Sequence, residues 1–299
     1  MGKALTLKGK VAVVAGGSRG AGKGIALALG DAGATVYVAG RTTIDGPKPA
    51  DGAPGTIDET AEEVTRRGGH GIAVRTDCTD PRQVAALFAR IAADESRLDV
   101  LANAVWGAAD GAASMDEWMA AWDTPFWQQP LAAWTHMMTG GPYAYFLMSA
   151  HALQLMAPKK RGLIVGITDG YVEPTPGDSS NAMNGGPLMW QLSHRCINLL
   201  MAGVANETKK HKIAVVTLMP GFMRTERVVR MLTTEKLKQQ FGFDKSETTE
   251  YIGRAVAALA ADPRAVAKTG TIQFVATLAE EYGFTDADGR RVPRFNPFG

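Results

Sequence analysis

At 299 residues with 45% hydrophobic side chains, the chain can bury a full core and fits one α/β domain over residues 1–299. Its 32 basic and 30 acidic residues leave a formal charge of only +2 and are scattered, so neither nucleic acid nor an anionic membrane is an expected partner. Cys78 and Cys196 are far apart and read as buried free thiols rather than a disulfide or metal pair; the short polar N-terminus has no signal-peptide core, and no apolar run reaches the roughly 18 residues of a membrane span, so a soluble cytoplasmic protein without a metal is expected.

The chain is organised around residues 11–29, VAVVAGGSRGAGKGIALAL, where a β-branched apolar run breaks into a glycine turn and resumes at helical spacing. Gly16, Gly20 and Gly22 let backbone N–H groups approach a phosphate closely, and the helix N-terminus behind them adds favourable partial charge. A dinucleotide pyrophosphate suits this turn, as does a plain tight connection. A second buried strand, Thr35 to Ala39, ends at Arg41, about twenty residues on, where an adenosine ribose is met. A planar cation at that position matches a 2′-phosphate, whereas an acid would repel it, so NADP(H) is expected over NAD(H). Arg19, inside the turn, is either a second phosphate cation or a solvated loop arginine.

A Gly/Pro/Asp-rich surface loop follows from Thr42 to Gly55, then a helix from Thr56 to Arg67, and a third short strand, Ile72 to Arg75, leading to Asp77 and Cys78. Asp80-Pro81 opens the next helix. The fourth strand, Leu98 to Ala102, ends in Asn103-Ala104-Val105-Trp106, and the six tryptophans, Trp106, Trp118, Trp122, Trp127, Trp134 and Trp190, all fall between that strand and a later helix. They suggest a pocket wall or a subunit contact beside ordinary helix packing. Leu131 to Met156 carries a long helical pattern, Gly162 to Thr168 a fifth buried strand, and residues 169–189 a loop. A helix from Trp190 to Lys210, a sixth strand from Ile213 to Leu218, a break at Pro220-Gly221, a helical region through Ala261 and a strand from Thr271 to Val275 complete the pattern, with an irregular, exposed tail expected from about residue 286. Seven strands alternating with helices imply an α/β fold: a doubly wound, Rossmann-like parallel sheet with helices on both faces.

These motifs, in this order, resemble the short-chain dehydrogenase/reductase family over about residues 7–285. Ala15 through Gly22 is similar to the family's T-G-x-x-x-G-x-G turn, which implies cofactor contacts from Gly16, Ser18, Arg19, Gly20, Ala21 and Gly22. Asp77 resembles its adenine-contacting acid, with Cys78 beside it, and Asn103-Ala104-Val105 a degraded N-N-A-G. Pro220-Gly221 with Thr225 resembles the P-G-x-x-x-T segment that closes over nicotinamide and pyrophosphate. The stretches FWQQPLAAW, RGLIVGITDG and EEYGFTDADGR resemble one branch of the family.

The catalytic half departs from the pattern. Alignment through Asn198, Leu200, Ala205, Glu207 and Pro220-Gly221 places the family's tyrosine at Trp190, its lysine at His194, its serine at Asp169 and its asparagine near Gly141. An indole N–H donates a hydrogen bond but releases no proton at physiological pH. Three candidates remain for acid/base work: Asp169, at the C-terminal end of the fifth strand; His194, one helical turn from Trp190 and expected at the nicotinamide ribose; and Tyr171 in the following loop. Structural roles stay open for each: a loop or capping aspartate, a hydrogen-bonded helix histidine and an exposed loop tyrosine. The expected function is an NADP(H)-dependent oxidoreductase on an alcohol or carbonyl with a non-standard acid/base, the alternatives being a catalytically inactive NADP(H)-binding pseudoenzyme and a non-redox lyase or hydratase. A sizeable, apolar small-molecule substrate is expected from the aromatic and methionine content, and by resemblance a homodimer or homotetramer formed through the two long helices.

Overall fold

The computed structural model describes residues 5–107, 117, 120, 124–169 and 188–294. Strands β1 (Val11–Ala15), β2 (Thr35–Gly40), β3 (His70–Arg75), β4 (Val100–Asn103), β5 (Gly162–Ile167), β6 (Ile213–Met219) and β7 (Ile272–Phe274) pair in the order β3-β2-β1-β4-β5-β6-β7, every pair parallel. The chain winds outward from β1 in both directions, so the strand order reverses between β1 and β4. In such a sheet the crevice opens at the C-terminal strand ends of that reversal.

Both faces of the sheet are covered. In β1 the alternation is literal: Ala12 and Val14 belong to one buried cluster and Val11, Val13 and Ala15 to the other. Helices α1 (Gly20–Asp31), α2 (Ile57–Arg66) and, late in the chain, α9 (Thr249–Ala261) and α10 (Val275–Tyr282) fill the first face with Ile25, Leu29, Ile57, Val64, Ile252 and Leu278. The second face takes α3 (Pro81–Asp94), α5 (Ala144–Met156) and α6 (Leu188–Thr208), through Leu87, Ile91, Met148, Ala152, Ile197 and Met201, while α4 (Leu131–Met138) packs against α6. Two short helices, α7 (Glu226–Met231) and α8 (Glu235–Gln240), lie between β6 and α9.

Local signals explain several boundaries. Thr56 caps α2 with a full capping box, its hydroxyl accepting from the Glu59 N–H and the Glu59 carboxylate accepting from the Thr56 N–H. Asp80 caps α3 ahead of Pro81. The long pattern from Leu131 to Met156 is not one continuous α-helix, because residues Thr139–Tyr143 form a π-helical turn around Gly140, Gly141 and Pro142, whose ring removes one donor. The C-terminal stretch 286–294 has no regular element, yet Asp286 and Val292 are buried, against the expectation of an exposed tail. No helix among the described residues is long and apolar enough to cross a membrane.

Candidate functional site at the carboxyl edge of the sheet

Parallel pairing brings the ends of β1, β4, β5 and β6 to one edge. Residue 16 adopts φ +80, which only glycine takes without strain, and a Cβ there would lie 2.7 Å from the Ala104 carbonyl oxygen. The turn after β1 thus presses against the segment after β4, where the Ala104 N–H donates to Ala15 at 3.0 Å. At Gly22 a Cβ would collide with the Gly16 carbonyl, so α1 packs directly on the turn. Ser18 is buried, and Ala21 is partly buried against the core. The Gly20 N–H, at the N-terminus of α1, donates to the Glu226 carboxylate at 2.8 Å.

Arg19 is neither a loose surface arginine nor aimed only at the turn. Its guanidinium donates to the carbonyls of Pro54 at 2.9 Å and Gly55 at 2.7 Å and to the Thr42 hydroxyl at 3.3 Å, tying the loop after β2 to the glycine turn. Burial and the nearby Arg227 lower its pKa. Arg41 stands exposed at the end of β2. The Asp77 carboxylate accepts from both the N–H and the hydroxyl of Thr79, a local turn that holds it at the end of β3. Cys78 is buried, and desolvation pushes its thiol up to about 12, so it is a core residue rather than a nucleophile. Cys196 is only half-buried, not fully as expected.

After β4, Asn103 is fully buried and donates to the Ser149 hydroxyl at 3.3 Å, while its Oδ1 has no hydrogen-bond partner. Pro220 and Gly221 follow β6, and the Gly221 N–H donates to Glu247 at 3.0 Å. Thr225 caps α7, its hydroxyl accepting from Val228, and its methyl group faces the Gly20 turn. The segment after β6 therefore folds back over the segment after β1.

The sharpest cluster joins β5 to α6. The Trp190 indole N–H donates to Asp169 Oδ2 at 2.6 Å, and His194 Nδ1 lies 3.6 Å from the same oxygen. His194 Nδ1 is 2.9 Å from the Trp190 carbonyl, an acceptor only, so the bond requires a proton on Nδ1 and leaves Nε2 as the acceptor of the neutral ring. Burial lowers the His194 pKa although Asp169 raises it. Burial raises the Asp169 pKa, opposed by His194 and by the indole hydrogen bond.

Trp106 closes the cluster, its ring 4.3 Å from that of His194 and 5.0 Å edge-on from that of Trp190. A Cβ at Gly141 would come within 3.3 Å of the Trp106 ring, so the π-helical turn supplies a side-chain-free surface for it. The Trp106 indole nitrogen is buried without a partner. Not all tryptophans gather here: Trp127 and Trp134 are exposed, and Trp118 and Trp122 lie outside the described residues, as does Tyr171. Sequence reasoning missed Glu226 and Glu247, which bond backbone amides of the site from about 206 and 26 residues away; no local motif marks either. Among the described residues, no group of three His, Cys, Asp or Glu stands close enough to hold a metal ion.

The chain as a whole is similar to known proteins. A model of the family described as short chain dehydrogenase matches residues 10–236. Dehydrogenase/reductase SDR family member 1 from Homo sapiens is 32% identical over 297 residues, covering 97% of this chain and 87% of its own, and the Mus musculus protein of that name is 31% identical over 301 residues, covering 98% and 88%. A crystal structure of a short chain dehydrogenase from Mycobacterium thermoresistibile superposes with a TM-score of 0.76 at 22% identity, over 98% of this chain and 94% of that one, which speaks to the fold alone. The chain belongs to the short-chain dehydrogenase/reductase family.

Proposed function

We propose that this protein is an NADP(H)-dependent oxidoreductase, formed as one domain, that interconverts an alcohol and a carbonyl with Asp169 as its acid/base in place of the family's tyrosine. One observation supports the reading: the Asp169 carboxylate sits at the sheet edge, held by the Trp190 indole and beside His194; we read Trp190 and His194 as standing in for the family's tyrosine and lysine.

The cofactor half fits a dinucleotide. Gly16 and Gly22 let the turn pack closely on Ala104 and on α1, whose N-terminus points at the turn with its Gly20 N–H held by the Glu226 carboxylate, and Arg41 follows β2 with a guanidinium where an acid would exclude a 2′-phosphate. Asp77 and Cys78 would flank the adenine, Asn103, Ala104 and Val105 the middle of the cofactor, and Pro220, Gly221 and Thr225 its nicotinamide half. When bound, the cofactor supplies or accepts the hydride. Asp169 then does the rest: a protonated carboxyl gives its proton to the developing alkoxide in reduction, and the carboxylate takes the alcohol proton in oxidation. Burial moves its pKa toward the working pH, which suits either direction. The indole N–H fixes which carboxylate oxygen is engaged and which is left for substrate. His194, neutral and buried, packs its ring 4.8 Å from that of Trp190, and its bond to the Trp190 carbonyl orients the imidazole so that Nε2 is offered to a ribose hydroxyl.

Titration of NADPH and NADH tests the cofactor assignment. NADPH binds more tightly to the wild type, and Arg41→Asp reverses the order. A wild-type preference for NADH would remove Arg41 from the 2′-phosphate and the assignment with it.

A further inference from the structure

A second buried acid lies beneath residues 221–224, away from the Asp169 cluster. Glu247 is only 1% exposed. Its Oε2 accepts the Gly221 N–H at 3.0 Å, its backbone N–H donates to the Phe222 carbonyl at 2.9 Å, and its own carbonyl accepts the Arg224 N–H at 2.8 Å. Met223 completes the run with a parallel bridge to the same residue. One residue therefore holds a whole loop by its main chain and side chain together.

The brace continues behind it. Asp286 is fully buried and accepts from the N–H of Thr248 at 2.8 Å, the Thr248 hydroxyl at 2.5 Å and the Ala287 N–H at 2.6 Å. Arg290 donates to the carbonyls of Asp244 at 2.5 Å and Ser246 at 3.0 Å. The C-terminal segment thus clamps residues 244–248, and these clamp the loop after β6.

We infer that Glu247 is the positioning residue that sets the 221–224 backbone against the nicotinamide half of the cofactor, with Asp286 and Arg290 as its brace. The inference rests on the cofactor reading above, because it gives that loop its ligand. It adds a residue about twenty positions beyond the P-G-x-x-x-T segment.

The choice of a carboxyl has a consequence. Glu247 faces Asp286 from the C-terminal segment, Tyr251 from α9 and Arg224 from the loop itself, and Arg224 is already paired with Asp288 at 2.8 Å. Its second oxygen, Oε1, is buried without a hydrogen-bond partner. Burial first, and the Asp286 charge in addition, push its pKa up to about 8 against the opposing effects of the Gly221 bond and Arg224. As a neutral acid Glu247 keeps its bond to Gly221; ionised, it places an unsolvated charge beside Asp286, which is relieved when the loop and the acid part. A raised carboxyl pKa gives a contribution that is complete below the ordinary glutamate range and lost as pH rises through about 8. The loop is held at neutral pH and loosened in alkali.

The test uses the full chain and two probes, NADPH and adenosine 2′,5′-bisphosphate, which shares the adenosine end and has no nicotinamide. Wild-type affinity for NADPH falls about tenfold between about pH 7 and about pH 9, a range in which the 2′-phosphate charge is constant, while that for the bisphosphate stays level. Glu247→Gln, a neutral mimic that still accepts from Gly221, matches the wild type at neutral pH and abolishes the slope. Glu247→Ala, which leaves the Gly221 N–H unpaired, binds NADPH about tenfold more weakly at neutral pH. An unchanged slope in Glu247→Gln overturns the inference, even if Glu247→Ala does not fold. A wild type that binds neither probe refutes the cofactor reading itself, a result distinct from a wild type that binds both with no slope, which refutes only the role of Glu247.

Discussion

Under the proposed function Asp169 is the acid/base, and its charge is open to direct measurement. If the carboxylate faces the nicotinamide, its charge lies close to a ring that is cationic in NADP+ and neutral in NADPH. At an effective dielectric of about 20 and a separation of about 6 Å the attraction is about 3 kcal/mol before screening by water and ions. Asp169→Asn accordingly weakens NADP+ more than NADPH in paired titrations, and equal losses would place Asp169 away from the ring. Burial raises its pKa, so the carboxylate is protonated at a higher pH than an ordinary aspartate, and the wild-type preference for NADP+ fades from that pH downward. Trp190→Phe removes the hydrogen bond that opposes this rise. The pH at which activity changes with carboxyl protonation then moves upward and turnover persists, as a pH-rate profile will show; an unmoved profile would mean that the indole does not act through Asp169. At this scale the sequence was informative where chemistry is local. Asp169 and His194 stood out because the resemblance aligns them with the family's serine and lysine positions, and a strand end and an i, i+4 spacing visible in the chain agree with that placement. That Asp169 meets the Trp190 indole across 21 residues was not, because it depends on where α6 lands on the sheet.

Strands and helices were legible because their causes are local. β1 reads as an unbroken apolar run, and β2 and β6 as apolar runs with a single threonine each; the Thr56 and Asp80 caps stand just ahead of their helices. The π-helical turn at Thr139–Tyr143 hid inside a good helical pattern, since its cause is tertiary: Gly140 packs against Gly107 and Gly141 against Trp106. A similar close approach joins α1 and α9, where a Cβ on Gly24 would overlap the Thr249 carbonyl and one on Gly253 the Gly24 carbonyl. Gly253→Val forces these helices apart, and the loss of packing lowers stability by about 3 kcal/mol or more, measured as the urea midpoint at constant m. A change under about 0.5 kcal/mol would show that the two helices separate freely. Glu226, the first residue of α7, supplies a further element-level prediction. Its carboxylate takes the Gly20 N–H at the N-terminus of α1, the position the glycine turn offers to a diphosphate. Glu226→Gln weakens that internal bond and removes a negative charge, so NADPH binds several-fold more tightly; weaker binding would show that Glu226 supports the turn rather than competing at it.

At the scale of the whole molecule, segments distant in sequence are tied together around one edge of the sheet. Arg19 holds the loop after β2 to the turn after β1, the guanidinium of Arg227 reaches Asp51 at 2.6 Å, Glu226 ties the stretch after β6 to the turn after β1, and Glu247 holds that stretch at Gly221. Such ties follow from the parallel winding, which delivers every loop after a strand to the same edge, and their partners are 26 to 206 residues apart. The winding itself could be inferred from alternating strands and helices; the partners could not. The most direct test of the account is turnover with NADP(H) across a panel of alcohols and carbonyls, run in parallel on the wild type and Asp169→Asn, with cofactor affinity measured on both. The account predicts that the wild type turns over at least one member of the panel and that Asp169→Asn loses about a hundredfold or more in kcat while still binding NADPH. Equal turnover by the two proteins, or a wild type that binds NADPH and transfers no hydride to or from any member of the panel, would contradict it.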